Sequence, residues 1–457
     1  MEIMTMLQSS SAVIQALGGT TKVADLLEVG SSAISNYRKN GFPPRVCVAL
    51  AKICAAQNIQ VASHVFGLPN IEDTAWRRQA ALSGGQAHLE LFNAAGFELI
   101  ETPVLQPADP FIELMGEEMR RRLFTFTDPV GETLCLRPDL TIPTARQYIQ
   151  QGDFERRQYY YSGTAFRYQP RGAGKPEEFT QIGIEILNAD TAMQNIIVDE
   201  VKALNVLVDF IRDQGVDNFD LYVNDLELFS AILQDLKLTQ RQQVRLRRSY
   251  SHGNSLELTL SQLITPPPVM QSDLALEPSE AGRIIAGRSQ DEIMARLKDK
   301  LEEANAEPLA EETANKIRDL AALNCSVDEL RAALRNIGIT IHKATDEAIR
   351  RFETRIFEIT KRCVIEPSAI RFCAQRGRKL AYYTGFAFEI CAAALGPRQV
   401  IASGGRYDAL LSALGAPEQL TAVGGAVSME RIYEAASEQS GALQSLLPSP
   451  AHDTSEI

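Results

Sequence analysis

The segment Glu178–Leu187, EFTQIGIEIL, constrains the fold more than any other stretch of this chain. Ile182, Ile184 and Ile186 recur with period two, which is the repeat of a strand and not of a helix. The opposite face carries Gln181, Gly183 and Glu185, an amide and a carboxylate with a residue between them that has no side chain, and a glycine at that place leaves room for something to lie on the sheet. Residues 158–168 read as a second strand, antiparallel to the first around the loop Gln169 to Glu177, with its two glycines and two prolines. That pairing brings Arg167 beside the polar face, and a guanidinium binds a carboxylate through two parallel hydrogen bonds. Farther along, LAYYTGFAFEI repeats the alternation, with Tyr383, Gly385 and Glu389 on one face, Tyr382 and Phe388 adding aromatic mass, and Arg378 leading in. Taken singly, each of these residues also fits a solvated strand face, a surface ion pair or an ordinary sheet tyrosine. Together they describe a pocket for a small zwitterion.

The remainder of the chain sets this pocket in an α+β protein. A helix is expected over 74–95, strands over 97–102, 122–127, 133–137, 219–223, 380–391 and 421–427, and a largely helical stretch over 190–360, so strands and helices are grouped and show no βαβ rhythm. Charge divides the chain unevenly. Residues 1–67 hold five Lys/Arg and three acids, a balance of +2, within a chain whose net charge is -12. A boundary is placed near residue 68, giving a helical module (1–67), a core (68–440) and a flexible tail (441–457). Within the module, Thr20–Lys39 resembles a helix-turn-helix, with Ala24, Val29 and Ile34 as packing positions and Ser31 or Ser32 as the second N-cap. Ser31, Ser32, Ser35, Asn36, Arg38 and Lys39 then lie on the helix that could enter a DNA major groove. Glu28 stands where a glycine is usual, and a small bundle used only for packing is the alternative. The acidic balance elsewhere disfavours general nucleic-acid coating. The seven cysteines show no Cys-x-x-Cys pair and read as reduced, mostly buried thiols. No metal site, membrane span or signal peptide is read, and a cytoplasmic protein is expected.

Several further stretches carry a resemblance. Leu136-Arg-Pro-Asp-Leu-Thr141, Phe166-Arg-Tyr-Gln169, Gln181 with Glu185, Arg378 with Tyr382-Tyr-Thr-Gly385, Ser403-Gly-Gly-Arg-Tyr-Asp408, and Gly424 through Glu430-Arg431 resemble the successive signatures of the histidyl-tRNA synthetase catalytic core, over about 75–437. The resemblance implies a class II aminoacyl-tRNA synthetase-like fold, an antiparallel sheet flanked by helices, preceded here by the small all-α module. It also implies a homodimer with a histidine pocket. In that pocket Asp139 and Thr141 hold the amino group, Arg167 and Arg378 the carboxylate, and Glu185 with Tyr383 the imidazole, while Gln181 and Tyr382 line the walls. The sequence departs from a working synthetase where ATP would sit. Gln169 replaces a glutamate, Pro176-Glu177-Glu178 occupies the loop, Lys379 and Ala381 replace the residues after the catalytic arginine, and Ser428 replaces a glycine. Acids at 177 and 178 oppose developing phosphate charge. Only 26 residues follow Arg431, fewer than the roughly 50 of a folded domain, so no anticodon-binding domain is expected. These features resemble the ATP phosphoribosyltransferase regulatory subunits, as do RPDLT and the PADPF run at 107–111. That family implies a non-catalytic chain that activates a short-form catalytic subunit and carries histidine feedback in the first step of histidine biosynthesis. It binds L-histidine as an allosteric ligand and needs no cofactor and no tRNA. The alternatives are a histidine-sensing DNA-binding regulator and a histidyl-tRNA synthetase.

Overall fold

The computed structural model describes residues 9–27, 29–40, 90–115, 119–169, 176–188, 193–251, 256–266, 307–377, 382–396, 399–417 and 420–446, with scattered positions between 7 and 65. The chain forms two compact units, one of residues 1–86 with 169–179 and one of 87–168 with 180–457. The expected boundary near residue 68, most of the expected 74–95 helix and residues 447–457 of the expected tail lie outside the described residues, while 441–446, expected as tail, continue the helix Met429–Leu446.

In the first unit, α1 (Ser10–Ala16), α2 (Thr20–Leu26) and α3 (Ser31–Asn40) close around Val13, Ile14, Leu17, Val23, Ala24, Ile34 and Tyr37. The Ser9 side chain caps α1 by accepting from the Ala12 amide, and Gly18 and Gly19, at φ of +97° and +91°, turn the chain into α2 where an L-residue would be strained. Ala24 and Ile34 are buried and Val29 packs against them, as the spacing predicts. One detail differs. Because α3 begins at Ser31, the cap position falls on Gly30 and not on a serine; Ser35 instead returns its hydroxyl to the Ser31 carbonyl at 3.1 Å.

In the second unit the described strands are β1 (Glu98–Leu99), β2 (Leu105–Pro107), β3 (Thr125–Thr127), β4 (Thr133–Leu136), β5 (Arg157–Phe166), β6 (Glu178–Leu187), β7 (Phe219–Asp225), β8 (Asn324–Ser326), β9 (Ile370–Cys373), β10 (Phe386–Ala392), β11 (Val400–Arg406) and β12 (Ala422–Ser428). A nine-stranded sheet runs β1-β5-β6-β12-β11-β10-β7-β9-β8, and β2-β4-β3 form a small second sheet. The centre, from β6 through β12, β11 and β10 to β7, is antiparallel; β1 on β5 and β9 on β7 pair in parallel, so the expected antiparallel sheet is mixed towards its edges. Strand β10 starts six residues later than the alternation predicts. The Thr384 amide donates to the Arg406 carbonyl at 2.8 Å and the Leu226 amide to Gly385 at 3.2 Å, so this stretch crosses the end of β11 before pairing begins. Tyr383 and Gly385 are therefore not on one strand face with Glu389, whose carboxylate is bound 2.8 Å from Arg376 instead.

Register explains the glycines of the sheet. Ile184, Gly425, Gly404 and Phe388 are successive partners across β6, β12, β11 and β10, and side chains in such a row share a face. The Phe388 ring lies over Gly404, and Leu207 of the helix Met193–Asp213 approaches Gly425, so this row is the helix-covered face. The next row, Glu185, Gly424, Gly405 and Ala387, faces the other way.

A buried ion network ties the helices to the sheet. Glu200, on the helix Met193–Asp213, accepts from Arg406 Nε at 2.8 Å and from Arg355 Nε at 2.6 Å. Arg355, on the helix Lys343–Cys363, also donates to Asp225 Oδ2 at 2.7 Å and sits 4.9 Å from the Phe386 ring centroid. The other Asp225 oxygen caps the helix Leu226–Asp235 by accepting from the Glu227 and Leu228 amides. Burial alone would depress the Arg355 pKa, but the two carboxylates outweigh it and raise it. Removing one member strands the opposite charges in the interior. Arg355→Met is therefore expected to cost about 3–5 kcal/mol in urea unfolding, while Arg331→Ala, which opens the part-exposed cluster with Asp346 and Glu353, costs less than about 1 kcal/mol. Equal losses would show that burial does not set the difference.

Candidate functional site

The polar row of the sheet faces a group of buried ionisable side chains. Glu185 is 1% exposed, and each carboxylate oxygen already has a phenol: Tyr161 donates to Oε1 at 3.1 Å and Tyr407 makes a short contact to Oε2. Tyr161 stands on β5, the sheet neighbour of β6, and its ring fills the space above Gly183. The room that this glycine leaves is thus taken by a tyrosine of the protein itself. With Tyr161 donating to Glu185, its oxygen accepts from the Thr141 hydroxyl at 3.3 Å. A Cβ at Gly424 would overlap the Glu185 carboxylate, so only glycine fits beneath this acid.

Asp139 closes the group from the loop before the helix Thr141–Gln151. It is 2% exposed; Oδ1 accepts from the Ile142 amide at 3.2 Å, while Oδ2 is buried with no hydrogen-bond partner among the described residues. That loop is braced from several sides. Arg137 Nε donates to the Thr164 carbonyl at 2.8 Å and its other end holds Thr102, Arg167 Nε donates to the Pro138 carbonyl at 2.7 Å, and Gln181 Oε1 accepts from the Leu140 amide at 2.9 Å. Gln181 therefore fastens the loop to β6 in addition to lining the site. Tyr382 and Tyr383 are buried edge-on to one another at 5.3 Å, with Tyr407 5.8 Å beyond Tyr382, and a Cβ at Gly405 would press on the Tyr383 ring.

The electrostatics follow from this burial. Loss of water pushes the Glu185 carboxyl up to about 7, although the hydroxyls of Tyr407, Thr141 and Tyr161 pull it down. Burial likewise pushes Asp139 up to about 6, against the Arg167 guanidinium and the Ile142 and Thr141 amides. The site thus groups two buried acids with raised pKa values and, beside Asp139, a half-buried guanidinium. Such a set can take a cation on the Asp139 side and an anion at Arg167, which is the pattern of an amino acid backbone.

The structure thus brings together Asp139, Thr141, Arg167, Gln181, Glu185, Tyr382 and Tyr383, and adds Tyr161 and Tyr407. Arg378 lies outside the described residues. Of the residues expected to bear on ATP, Glu177 accepts from the Gln169 amide at 3.3 Å in the first unit; in the second, Arg431 donates to the Val400 carbonyl at 2.6 Å and to Gln399 at 2.8 Å.

The profile of the family described as Histidyl-tRNA synthetase matches residues 71–432. An ATP phosphoribosyltransferase regulatory subunit of Brucella canis is 32% identical over 366 residues, 76% of this chain and 95% of that protein, and the one of Brucella abortus strain 2308 matches equally. The chain belongs to this histidyl-tRNA synthetase-like family of regulatory subunits. The fold agrees: the crystal structure of an ATP phosphoribosyltransferase regulatory subunit/histidyl-tRNA synthetase from Bacillus halodurans superposes with a TM-score of 0.54 at 21% identity, covering 78% of this chain and 79% of that one. Among the described residues no helix is long and apolar enough to cross a membrane.

Tyr407→Phe removes one of the two phenol hydroxyls that a buried carboxylate accepts from. The Glu185 titration, followed by carbon NMR, is expected to move above 7 and the fold to lose about 1–3 kcal/mol. An unmoved titration would mean that the phenol does not hold the charge.

Proposed function

We propose that this chain is the non-catalytic regulatory subunit of an ATP phosphoribosyltransferase, which activates a short-form catalytic subunit and passes on histidine feedback in the first step of histidine biosynthesis. In this reading L-histidine is an allosteric ligand and no cofactor takes part. One observation carries the ligand assignment: the buried Asp139 Oδ2, without a hydrogen-bond partner among the described residues, close enough to Arg167 to feel its charge. A buried acceptor left unmade costs about 1–3 kcal/mol, and an incoming ammonium recovers that cost. Asp139 and Thr141 then receive the amino group, Arg167 and Arg378 the carboxylate, and Glu185 and Tyr383 face the imidazole, between walls of Gln181 and Tyr382.

The chain's own residues favour sensing over chemistry. Gln169, Glu177 and Ser428 are departures from the sequence of a working nucleotide site, and the Ser428 hydroxyl turns to Glu430 at 3.4 Å. Histidine can change the activity of a complex only by its different affinity for two states of that complex, so the pocket must be made differently in each. A homodimer within a hetero-oligomer, without tRNA, is the assembly that this reading includes.

The decisive measurement is the phosphoribosyltransferase rate of a short-form catalytic subunit from the same source, with and without this chain, during a histidine titration. Activation that histidine reverses is expected; a rate indifferent to the chain sinks the reading. Within the complex, Glu185→Ala is expected to abolish the histidine response, and a fully sensitive variant would remove Glu185 from the site. Asp139→Asn is expected to weaken histidine binding by about 10- to 100-fold in calorimetry, from the about 1.5–3 kcal/mol of a hydrogen bond to a charged group. Because ammonium binding requires the ionised acid, wild-type affinity should fall as pH drops through about 6, and the Asn variant should lose that component of the pH dependence.

A further inference from the structure

The regulatory reading leaves residues 1–67 without a task. The family profile begins at residue 71, so nothing in the synthetase-like core accounts for the module before it. In the structure, α2 ends at Leu26 and α3 begins at Ser31, and α1 packs against both through one apolar cluster. The Val29 amide reaches back to the Ala24 carbonyl at 3.0 Å, at the end of α2, and the Ala33 amide to the Gly30 carbonyl at 2.9 Å, at the start of α3. With Ile34 and Tyr37 facing the cluster, α3 presents Ser31, Ser32, Ser35, Asn36 and Arg38 to solvent. This exposed face carries hydroxyls, an amide and a cation, and no large apolar side chain.

Charge is distributed to match. From Val29 to Ile71 the chain has no Asp or Glu and holds Arg38, Lys39, Arg45 and Lys52, within a protein of net charge -12. A solubilising surface would mix both signs. An acid-free stretch around a helix of short polar residues is instead the footprint of a polyanion, and the groups on α3 are ones that donate to and accept from base edges.

We propose that the N-terminal module is a helix-turn-helix that binds duplex DNA with sequence preference, using α3 in the major groove. Ser31, Ser32, Ser35 and Asn36 read base edges, and Arg38 contacts phosphate. The proposal stands apart from the regulatory one, since neither needs the other's residues.

The test uses the full chain and a library of random 20-base-pair duplexes, selected over several rounds, with the winner and a scrambled duplex compared by fluorescence anisotropy. One enriched motif is expected, with affinity falling about tenfold when salt doubles from 0.1 M, as three or four neutralised phosphates would give. Arg38→Ala should weaken binding to both duplexes and lower the salt slope by about one, while Asn36→Ala should cut the preference for the selected duplex by about tenfold or more. Both side chains are exposed, so helicity by circular dichroism should be unchanged. No enriched motif, equal binding to single-stranded RNA, or full binding by the chain carrying both Arg38→Ala and Asn36→Ala would each overturn the proposal. Phosphoribosyltransferase activation measured on the same variants tells the two readings apart, because it should not change.

Discussion

Five buried or part-buried charges, Arg406, Glu200, Arg355, Asp225 and Asp408, hold the core unit in one arrangement. Each guanidinium lies between carboxylates, and the acids sit on different elements: Glu200 on a long helix, Asp225 at a strand end that also caps the next helix, and Asp408 after β11, where it accepts from the Ala422 amide at 2.8 Å. Desolvating so many charges is not a cheap route to stability, and well-packed apolar side chains of similar volume often serve as well or better. What the network supplies is direction. A guanidinium fork accepts carboxylates only in its plane, so the helices Met193–Asp213 and Lys343–Cys363 are fixed in rotation and height against the sheet. The apolar row of Ile184, Gly425, Gly404 and Phe388 then buries under a helix whose position is already set.

The same constraint shapes the pocket on the other face. Two glycine pairs, 404–405 and 424–425, thin the sheet from both sides: one member of each pair admits the helix or the Phe388 ring, the other Tyr383 or the Glu185 carboxylate. Side chains at these positions would separate the layers by a Cβ and leave the acid nowhere to stand. A thin floor brings Glu185 within reach of phenols from β5 and from the end of β11, and those phenols keep a buried acid near neutrality instead of far above it. The site is thereby preorganised at a cost to the unliganded fold. Between about pH 3.8 and 6 for Asp139, and about 4.5 and 7 for Glu185, the folded state keeps a proton that the unfolded chain releases, so each group withdraws stability as pH rises through its window.

Much of this was legible in the sequence, and the limits are physical. Strand β6, with its apolar and polar faces, follows from period two alone, and so do the approximate positions of β5, β7 and β12. Asp139, Arg167 and Glu185 follow from the signatures together with their chemistry. Tyr161 and Tyr407 carry no such local signal. Tyr161 sits in a run of three tyrosines whose facing depends on strand register, and Tyr407 follows the last residue of a strand, where period two no longer applies. The ion network was out of reach altogether, because Glu200 and Arg355 are 155 residues apart and Glu200 and Arg406 are 206 apart. No local pattern links charges so distant. The late start of β10 was hidden for a related reason: its alternation continues through 382–385, and only the carbonyl of Arg406 reveals that this stretch bonds across a strand end.

Arg406 and Tyr407 are consecutive, and the chain divides its labour between them. Arg406 looks into the ion network and, through Glu200 and Arg355, reaches two long helices; Tyr407 looks into the pocket and holds Glu185. A ligand that drew the Glu185 carboxylate towards itself would loosen or tilt Tyr407, and a tilt of that residue turns the peptide joining it to Arg406. Such a turn cannot be absorbed gradually, since a guanidinium between fixed carboxylates has few satisfactory positions and a packed core deforms in steps. Contiguity does not by itself make a signal; that requires two arrangements of the network that ligand and partner favour unequally. One dipeptide at the end of β11 is thus bound on one side to the candidate site, through Tyr407 and Glu185, and on the other to two long helices, through Arg406, Glu200 and Arg355.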